Sequence, residues 1–410
     1  MNRNITLIIS AVTVLILLCI WLYLMFFSNQ TNTDLGPIEG SGSFAELGQV
    51  GNDASRLGDG DVRQGEGEGT NNDDEMMGED YNPDILRQLT TRNVIGYREV
   101  TIASTTHVVF MESGVGHVYS INLETGVEER VSATTVPDAR HAVFSSDGAM
   151  VAVKTGTNNG VNPILLGEID YEEKTLSVDQ VDEEVGEMTF TEDNNLIYTT
   201  ITNNSVLGNV FNIKNETTAV IFDTLFREAT VILGSTVAGP HYFFPKTNYT
   251  FEGFVYRVDE GRLTRLPVDG FGFTANMFGN TILASYRDKS DLVTIIYDQA
   301  SEEKAELDVA LLPDKCVGSD ENIYCAIPKN ETLRYDSINK WYQGVDLFTD
   351  SLWLVGEDGE ELIDITNHSG RNVDVVNGEI GEISSDWYFQ NKGDHSLWIY
   401  ELSEIADITE

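Results

Sequence analysis

SSDGAMVAV, residues 145–153, is the stretch that decides the fold of this chain. It follows an apolar run at 142–144, turns at Asp147-Gly148 and returns as the apolar run 150–153. An Asp-Gly pair between two strand-forming runs is typical of a β-hairpin, because both residues tolerate the backbone angles of a tight turn. The stretch therefore predicts two antiparallel strands joined by a short turn.

The same pattern of polar turn and apolar run recurs along the chain. Asp147, Asp193 and Asp320 mark three copies that are spaced by 46 and 127 residues, and the longer gap equals three periods of about 42. Degenerate copies fill this gap and extend the series at 104–110, 234–244, 278–284 and 384–389. Seven copies of a four-stranded unit predict an all-β fold, a seven-bladed β-propeller, with six or eight blades as the alternatives.

The last two predicted blades depart from the repeat. An insertion at 328–350, PKNETLRYDSINKWYQGVDLFTD, follows the blade-six hairpin. Three strands of the last blade are predicted near 380–383, 387–390 and 396–400. The run 85–90, ILRQLT, is predicted to supply the fourth strand, which would close the ring and remove a free edge. Outside 5–27, no stretch shows strong helical periodicity.

Residues 5–27, ITLIISAVTVLILLCIWLYLMFF, carry no charge over 23 positions. A helix of this length spans about 34 Å, enough to cross a hydrocarbon core of roughly 30 Å. No small-residue cleavage site follows the run, so we predict an uncleaved signal anchor. Because Arg3 and the α-amine lie before the span and the far flank is acidic, residues 1–4 are predicted to be cytoplasmic and the rest to lie outside the cell membrane, periplasmic or at the cell surface.

Residues 28–83 are dense in Gly, Asn, Asp and Glu, and we predict a disordered acidic linker there. The propeller is predicted to span 84–404, with a short tail at 405–410. The chain has 25 Lys and Arg against 67 Asp and Glu, a net charge of −42. Such a surface repels phosphate backbones, so we exclude nucleic acid as a partner. The acidity favours solubility or, alternatively, a cation-binding surface.

These motifs carry a family resemblance. FSSDGAMVAV resembles the repeat of TolB-type, WD40-like propellers, although the Trp-Asp pair of true WD repeats is absent. LRQLTTRNVIGYREV, KCVGSDENIYCAIPK, WYQGV and NKGDHSLWIYEL together resemble uncharacterised membrane-anchored propellers of candidate-phylum bacteria. The likeness covers about 85–402 and implies the fold, while it implies no activity.

No catalytic motif is present: there is no G-x-S-x-G, H-E-x-x-H or P-loop. We therefore predict no catalytic, cofactor-binding or metal-ligating residues, no cofactor, and a protein that is not an enzyme. The predicted function is a monomeric binding or scaffolding propeller for a protein or glycan partner. The alternative is an extracytoplasmic hydrolase or lyase that uses acids and histidines converging in the central channel.

Cys316 and Cys325 are predicted to form a disulfide. A hairpin centred on 320–321 places them directly opposite each other, close enough for a bridge after a small adjustment, and an oxidising exterior permits it. Two buried free thiols are the alternative.

The insertion carries four aromatic residues that are candidates for partner binding: Tyr335, Trp341, Tyr342 and Phe348. Clustered aromatics serve as interface anchors because they bury a large area at little entropic cost. In the alternative interpretation the insertion folds back, covering a blade edge or plugging the channel.

The predicted topology can be tested with protease added to intact cells. Because the linker lies outside the cell membrane in this topology, we expect cleavage there and release of a soluble fragment, detected by immunoblotting. A fragment that is cut only after permeabilisation from the cytoplasmic side would reverse the predicted orientation.

Overall fold

The computed structural model describes residues 85–402, except 157–162, 183–184, 225, 249, 290, 319–321, 330–332, 334, 357–361 and 367–370. The predicted signal anchor, linker and tail lie outside the described residues. Within the described part of the chain, no helix is long and apolar enough to cross a membrane.

Antiparallel strands account for most of this region. The first thirteen are β1 (Leu86–Thr90), β2 (Val94–Ile102), β3 (Thr105–Glu112), β4 (Val118–Asn122), β5 (Glu128–Ser132), β6 (Ala139–Phe144), β7 (Met150–Thr155), β8 (Ile164–Asp170), β9 (Thr175–Asp182), β10 (Met188–Phe190), β11 (Leu196–Ile201), β12 (Val206–Asn212) and β13 (Thr217–Asp223).

The second half continues the pattern, with a 3-10 helix (Pro313–Lys315) before β21 and the α-helix α1 (Tyr335–Tyr342) after β22. Its strands are β14 (Ala229–Ile232), β15 (His241–Pro245), β16 (Glu252–Asp259), β17 (Arg262–Phe278), β18 (Thr281–Asp288), β19 (Asp291–Asp298), β20 (Lys304–Glu306), β21 (Cys316–Gly318), β22 (Ile323–Pro328), β23 (Asp350–Val355), β24 (Leu362–Asp364), β25 (Val375–Ile380), β26 (Trp387–Asn391) and β27 (Leu397–Tyr400).

The strands form sheets of consecutive antiparallel neighbours, an all-β, propeller-like arrangement. Four-stranded sheets contain β2 to β5, β6 to β9, β10 to β13, and β21 to β24. A seven-stranded sheet runs from β14 to β20, and a last sheet has the order β1-β27-β26-β25. In the seven-stranded sheet, β17 pairs with β16 through its first residues and with β18 through its last ones.

The predicted Asp-Gly hairpin is confirmed. β6 and β7 pair antiparallel around Asp147, whose Oδ1 accepts hydrogen bonds from Ser145 Oγ at 2.6 Å and from the amide of Ala149 at 3.0 Å. Gly148 has φ +70°, which a glycine adopts without strain. Asn194 donates to Asp147 Oδ2 at 2.8 Å, so the turn is also tied to the corresponding turn of the next sheet.

The first and last parts of the described chain meet in one sheet, as predicted. β1 pairs with β27, with Leu86 opposite Tyr400, and forms the outermost strand of the last sheet. A second link comes from Glu99 of β2, which is buried. Its carboxylate accepts hydrogen bonds from the amides of Ile383 and Ser384 and from Tyr388 Oη, all in β26 or the turn before it. Strand pairing and these hydrogen bonds together join the first sheet to the last.

Two sequence predictions differ from the structure. The first strand of the last sheet is β25, which ends at Ile380, where we had expected it to begin. The insertion contains α1, which periodicity did not identify because eight residues are too few to define a repeat. Only Ile338 and Trp341 of this helix are buried among its described side chains, and they are three residues apart, as one helical face requires.

The role of Glu99 can be tested by substitution. Glu99→Ala leaves three hydrogen-bond donors without their acceptor, so we expect the free energy of unfolding to fall by about 3 kcal/mol. Glu99→Gln, which keeps one acceptor oxygen, should lose less. Denaturant unfolding measures both, with Glu124→Ala on an exposed turn as the control. Equal stability of Glu99→Ala and the control would show that these hydrogen bonds do not hold the sheets together.

Candidate functional site

Several neighbouring sheets contact each other through their first strands or, in the seven-stranded sheet, through β17. β2 contacts β6, β6 contacts β10, and β21 contacts both β17 and β25. These strands therefore line the inside of the arrangement. The central channel is defined here as the space bordered by β2, β6, β10, β14, β21, β25 and the last residues of β17.

Two cavities open along this channel. A cavity of about 230 Å³ is bordered by residues of β2, β6, β10 and β25, and a cavity of about 470 Å³ by residues of β14, β17, β21, β25 and α1. Asn377 and Gly378 of β25 border both cavities. The two cavities thus adjoin at β25. The larger volume lies within the range of about 300–1,000 Å³ that is usual for ligand pockets.

An arginine–carboxylate pair lies in the wall of the smaller cavity. Arg98 of β2 donates to Glu379 of β25 and also to Glu382, so it links the first and last sheets. Burial raises the pKa of Glu379 to about 7, although Arg98 acts in the opposite direction. Desolvation outweighs the ion pair because the carboxylate loses most of its water while it keeps one charged partner. Glu379 therefore exchanges its proton near neutral pH.

Further titratable groups lie around the same wall. Burial raises the pKa of Glu187, with Lys154 opposing this shift and Asp314 adding to it. Burial also raises the pKa of Asp314, and a hydrogen bond from Tyr342 opposes it. Both carboxylates remain accessible to solvent, which is the situation of a group that lines a narrow channel. The pKa of His141 is lowered by burial and by nearby Lys154.

The insertion supplies one side of the larger cavity. Tyr342 of α1 is 40% exposed, and its hydroxyl donates to Asp314 Oδ2 at 2.6 Å. Lys392 Nζ lies 3.5 Å from the centroid of the Trp341 ring and also donates to the Trp341 carbonyl. Burial lowers the pKa of Lys392 to about 8, and the neighbouring Lys315 contributes to this shift. Both Tyr342 and Lys392 border the cavity.

A buried ion cluster fixes this side of the wall. Lys315 Nζ contacts Asp350 Oδ2 and Asp374 Oδ1, each at 2.6 Å, and all three side chains are almost fully buried. Trp341 Nε1 donates to both oxygens of Asp374 at 3.0 Å, and the amide of Phe348 donates to Oδ2 at 2.9 Å. Burial raises the pKa of Asp350 to about 6, against the effect of Lys315. The cluster thus holds the insertion against β21 and β25.

The sequence-predicted site residues separate into groups. Cys316 and Cys325 form a disulfide, and they face each other in the register of β21 and β22 as expected. Trp341 and Phe348 are buried, and their stacked rings have centroids 6.0 Å apart, which agrees with the alternative that the insertion folds back. Trp341 and Tyr342 both border the larger cavity, but of these two only Tyr342 is exposed, and the side chain of Tyr335 lies outside the described residues. A role in partner binding stays a prediction.

Sequence reasoning did not identify the charged wall. Among the histidines, only His141 borders a channel cavity within the described residues. Arg98 and Glu379 lie in first strands, and Glu187 and Asp314 lie just before them, a position that the repeat register could have indicated. Lys154 lies in β7 and Lys392 follows β26, so register alone would not have indicated these two. In the described part of the chain, no group of three or more His, Cys, Asp or Glu side chains could hold a metal ion.

Comparison with solved structures finds propellers of low sequence identity. Oligogalacturonate lyase from Vibrio parahaemolyticus is 12% identical, with a TM-score of 0.52 over 77% of this chain and 92% of that chain. The β-propeller domain of the Trilobed protease from Pyrococcus furiosus is 13% identical, with a TM-score of 0.48 over 76% and 95%. TolB from Acinetobacter baumannii is 12% identical, with a TM-score of 0.41 over 63% of each chain. Such identities show a shared fold alone.

No protein-family model matches the chain, and no curated protein matches it. The resemblance to membrane-anchored propellers of candidate-phylum bacteria therefore has no support from sequence comparison. TolB, in contrast, is among the propellers to which the chain is similar in structure.

The prediction that the chain is not an enzyme is wrong. We had drawn it from the absence of catalytic motifs. A lyase is among the similar structures, with a TM-score of 0.52, so the fold is compatible with catalysis. A missing motif is a weak argument in such a fold, because channel residues come from different sheets and need no fixed spacing in the sequence.

The raised pKa of Glu379 predicts a pH dependence of stability. The folded protein keeps a proton on Glu379 up to about pH 7, whereas the unfolded chain releases it near the ordinary value of 4.5. Stability should therefore fall as the pH rises through this window. Glu379→Gln removes this contribution, so its denaturant midpoint should fall less between pH 5 and pH 8 than that of the wild type. If the denaturant midpoints of Glu379→Gln and the wild type change with pH in parallel, the pKa of Glu379 is not raised in the folded protein.

Proposed function

We propose that this protein is a membrane-anchored, extracytoplasmic β-propeller that binds a hydroxyl-rich ligand of the glycan type in its central channel. The observation that carries the proposal is the convergence of polar and charged side chains from several sheets and from α1 on two adjoining cavities. The proposal keeps the predicted membrane location, with 5–27 as the anchor and 28–83 as the tether.

We also infer that the arrangement has seven blades. The seven-stranded sheet counts as two blades that β17 joins, since residues 262–271 pair with β16 and residues 271–278 pair with β18. Gly272 has φ +62° at the junction, which supports a change of direction there. With this division, every blade has four strands and the last is completed by β1.

The chemistry of the wall supports a ligand rich in hydroxyl groups. Asp314 borders the larger cavity, and the exposed Glu187 lies close enough to Asp314 for the two to interact electrostatically. Both offer carboxylate oxygens that accept hydrogen bonds from hydroxyls. The exposed Asn377 borders both cavities and presents an amide that both donates and accepts. Tyr342 adds an aromatic ring that is 40% exposed, and aromatic rings offer apolar faces to the C–H groups of sugars. A protein partner could enter the same space only through a protruding side chain or chain end.

A hydrolase or lyase acting in the same channel is the second candidate. Glu379 supports it, because a carboxyl group with a pKa of about 7 can accept and donate a proton at neutral pH. Arg98 beside it could bind a carboxylate of a substrate or stabilise an anionic intermediate. In this version Glu379 is the general base, and the binding residues are those of the first proposal.

Binding can be tested with the full chain in phosphatidylcholine nanodiscs on an array of oligosaccharides. We expect a subset to bind, and the double variant Glu187→Gln, Asp314→Asn to weaken binding about ten-fold or more, because hydrogen bonds to charged groups are lost. Glu124→Gln, on an exposed turn outside the channel, is the matched control and should bind like the wild type.

Catalysis is tested on the oligosaccharides that bind. Mass spectrometry of the incubated ligand detects cleavage, and product formation that Glu379→Gln abolishes without loss of binding would favour the second candidate. Bound oligosaccharides that stay intact would favour the binding protein. If no oligosaccharide binds, or if the double variant binds as well as the control, the channel is not the site.

A further inference from the structure

A second concave surface lies outside the channel, between the sheets β6 to β9 and β10 to β13. It is a cavity of about 620 Å³ that is bordered by residues of β7, β8, β9 and β12 and of the turn after β12. None of its lining residues belongs to a first strand, so it is separate from the proposed ligand site. We call this surface the β9–β12 groove.

The groove has an apolar floor and an acidic rim. Leu166 is buried, and Met150 and Phe211 pack half-buried against the core between the two sheets. Among the described residues, three exposed carboxylates and no lysine or arginine line the same groove; the carboxylates are Glu168, Asp179 and Glu216. Among the ion pairs of the described residues, none involves these three carboxylates.

We infer that the β9–β12 groove docks a cationic amphipathic peptide segment of a partner protein. Apolar side chains of such a segment would cover the floor, and its lysines or arginines would face the carboxylates of the rim. Charge complementarity of this kind speeds association and selects the partner. The volume lies in the range of peptide and ligand pockets, about 300–1,000 Å³, and suits a few side chains.

Charge also decides against other occupants. A second copy of this chain would bring another net charge of −42, and the linker at 28–83 is itself acidic. Anionic lipid headgroups would be repelled by the same rim. A basic amphipathic segment is the occupant that can form both apolar contacts with the floor and ion pairs with the rim.

The test uses the full chain in phosphatidylcholine nanodiscs and a fluorescent peptide of alternating leucine and lysine blocks. Fluorescence anisotropy at about 0.15 M salt gives Kd, with empty nanodiscs as the blank. We expect Glu168→Gln, Asp179→Asn, Glu216→Gln to raise Kd about ten-fold, because three close charges are removed. The matched control, Glu124→Gln, Glu303→Gln, Asp308→Asn, removes the same charge from exposed sites elsewhere and should change Kd less than about two-fold.

A blocking variant and two control peptides complete the test. Ser177→Trp places a large side chain at the exposed groove edge without removing a core contact, and it should abolish binding. Peptides with leucine replaced by serine, or with lysine replaced by glutamate, should not bind. If the groove variant and the control triple variant raise Kd equally, the peptide is held only by general electrostatic attraction, and the proposal is overturned. Undiminished binding by Ser177→Trp, or by either control peptide, would overturn it as well.

Discussion

The buried carboxylate of Glu99 is the contact on which the rest of the arrangement depends. It accepts three hydrogen bonds from the last sheet, while Tyr97 from the same strand donates to the carbonyls of Asn377 and Tyr388. A buried carboxylate is unfavourable unless its oxygens are satisfied, so β2 can occupy this position only when β25 and β26 are in place. The pairing of β1 with β27 then adds the backbone hydrogen bonds that cover the outer edge. Closure in turn brings Arg98 to Glu379 and creates the smaller channel cavity.

A second buried polar centre explains why the insertion is part of the channel wall. Lys315 lies between Asp350 and Asp374 and 5.0 Å from the centroid of the Trp341 ring. Loss of this lysine would leave two carboxylates close together without a counter-charge, which is strongly destabilising in a protein interior. The same contacts fix α1, so that Tyr342 faces the larger cavity while Trp341 remains in the core. One ion cluster therefore serves both the stability of the sheet and the shape of the site.

The features of the fold that can be predicted from the sequence are those encoded by short local patterns. The turn at Asp147-Gly148, the spare strand β1 and the opposed Cys316 and Cys325 are each recognisable within about ten residues. The role of Trp341 is different, because its indole donates to Asp374, 33 residues away, and this contact decides that an aromatic residue belongs to the core. The charged channel wall likewise depends on residues that are far apart in the sequence. Which side chain of a first strand faces the channel depends on the register of all the sheets, and no single stretch encodes it.

The wide spacing of the channel residues in the sequence bears on whether the proposed site would only bind a ligand or would also transform it. In an enzyme whose residues come from one loop, spacing identifies the site, whereas here Arg98 and Glu379 are 281 residues apart and meet only through closure of the sheets. Their chemistry serves either purpose, since a carboxyl group with a raised pKa beside a guanidinium can hold a hydroxyl group or remove a proton from a carbon. What separates the two is the position of the ligand's reactive atom relative to Glu379, a property of the bound complex. Motif searches are therefore uninformative about catalysis in this protein, because the distinction depends on where a reactive atom lies relative to Glu379.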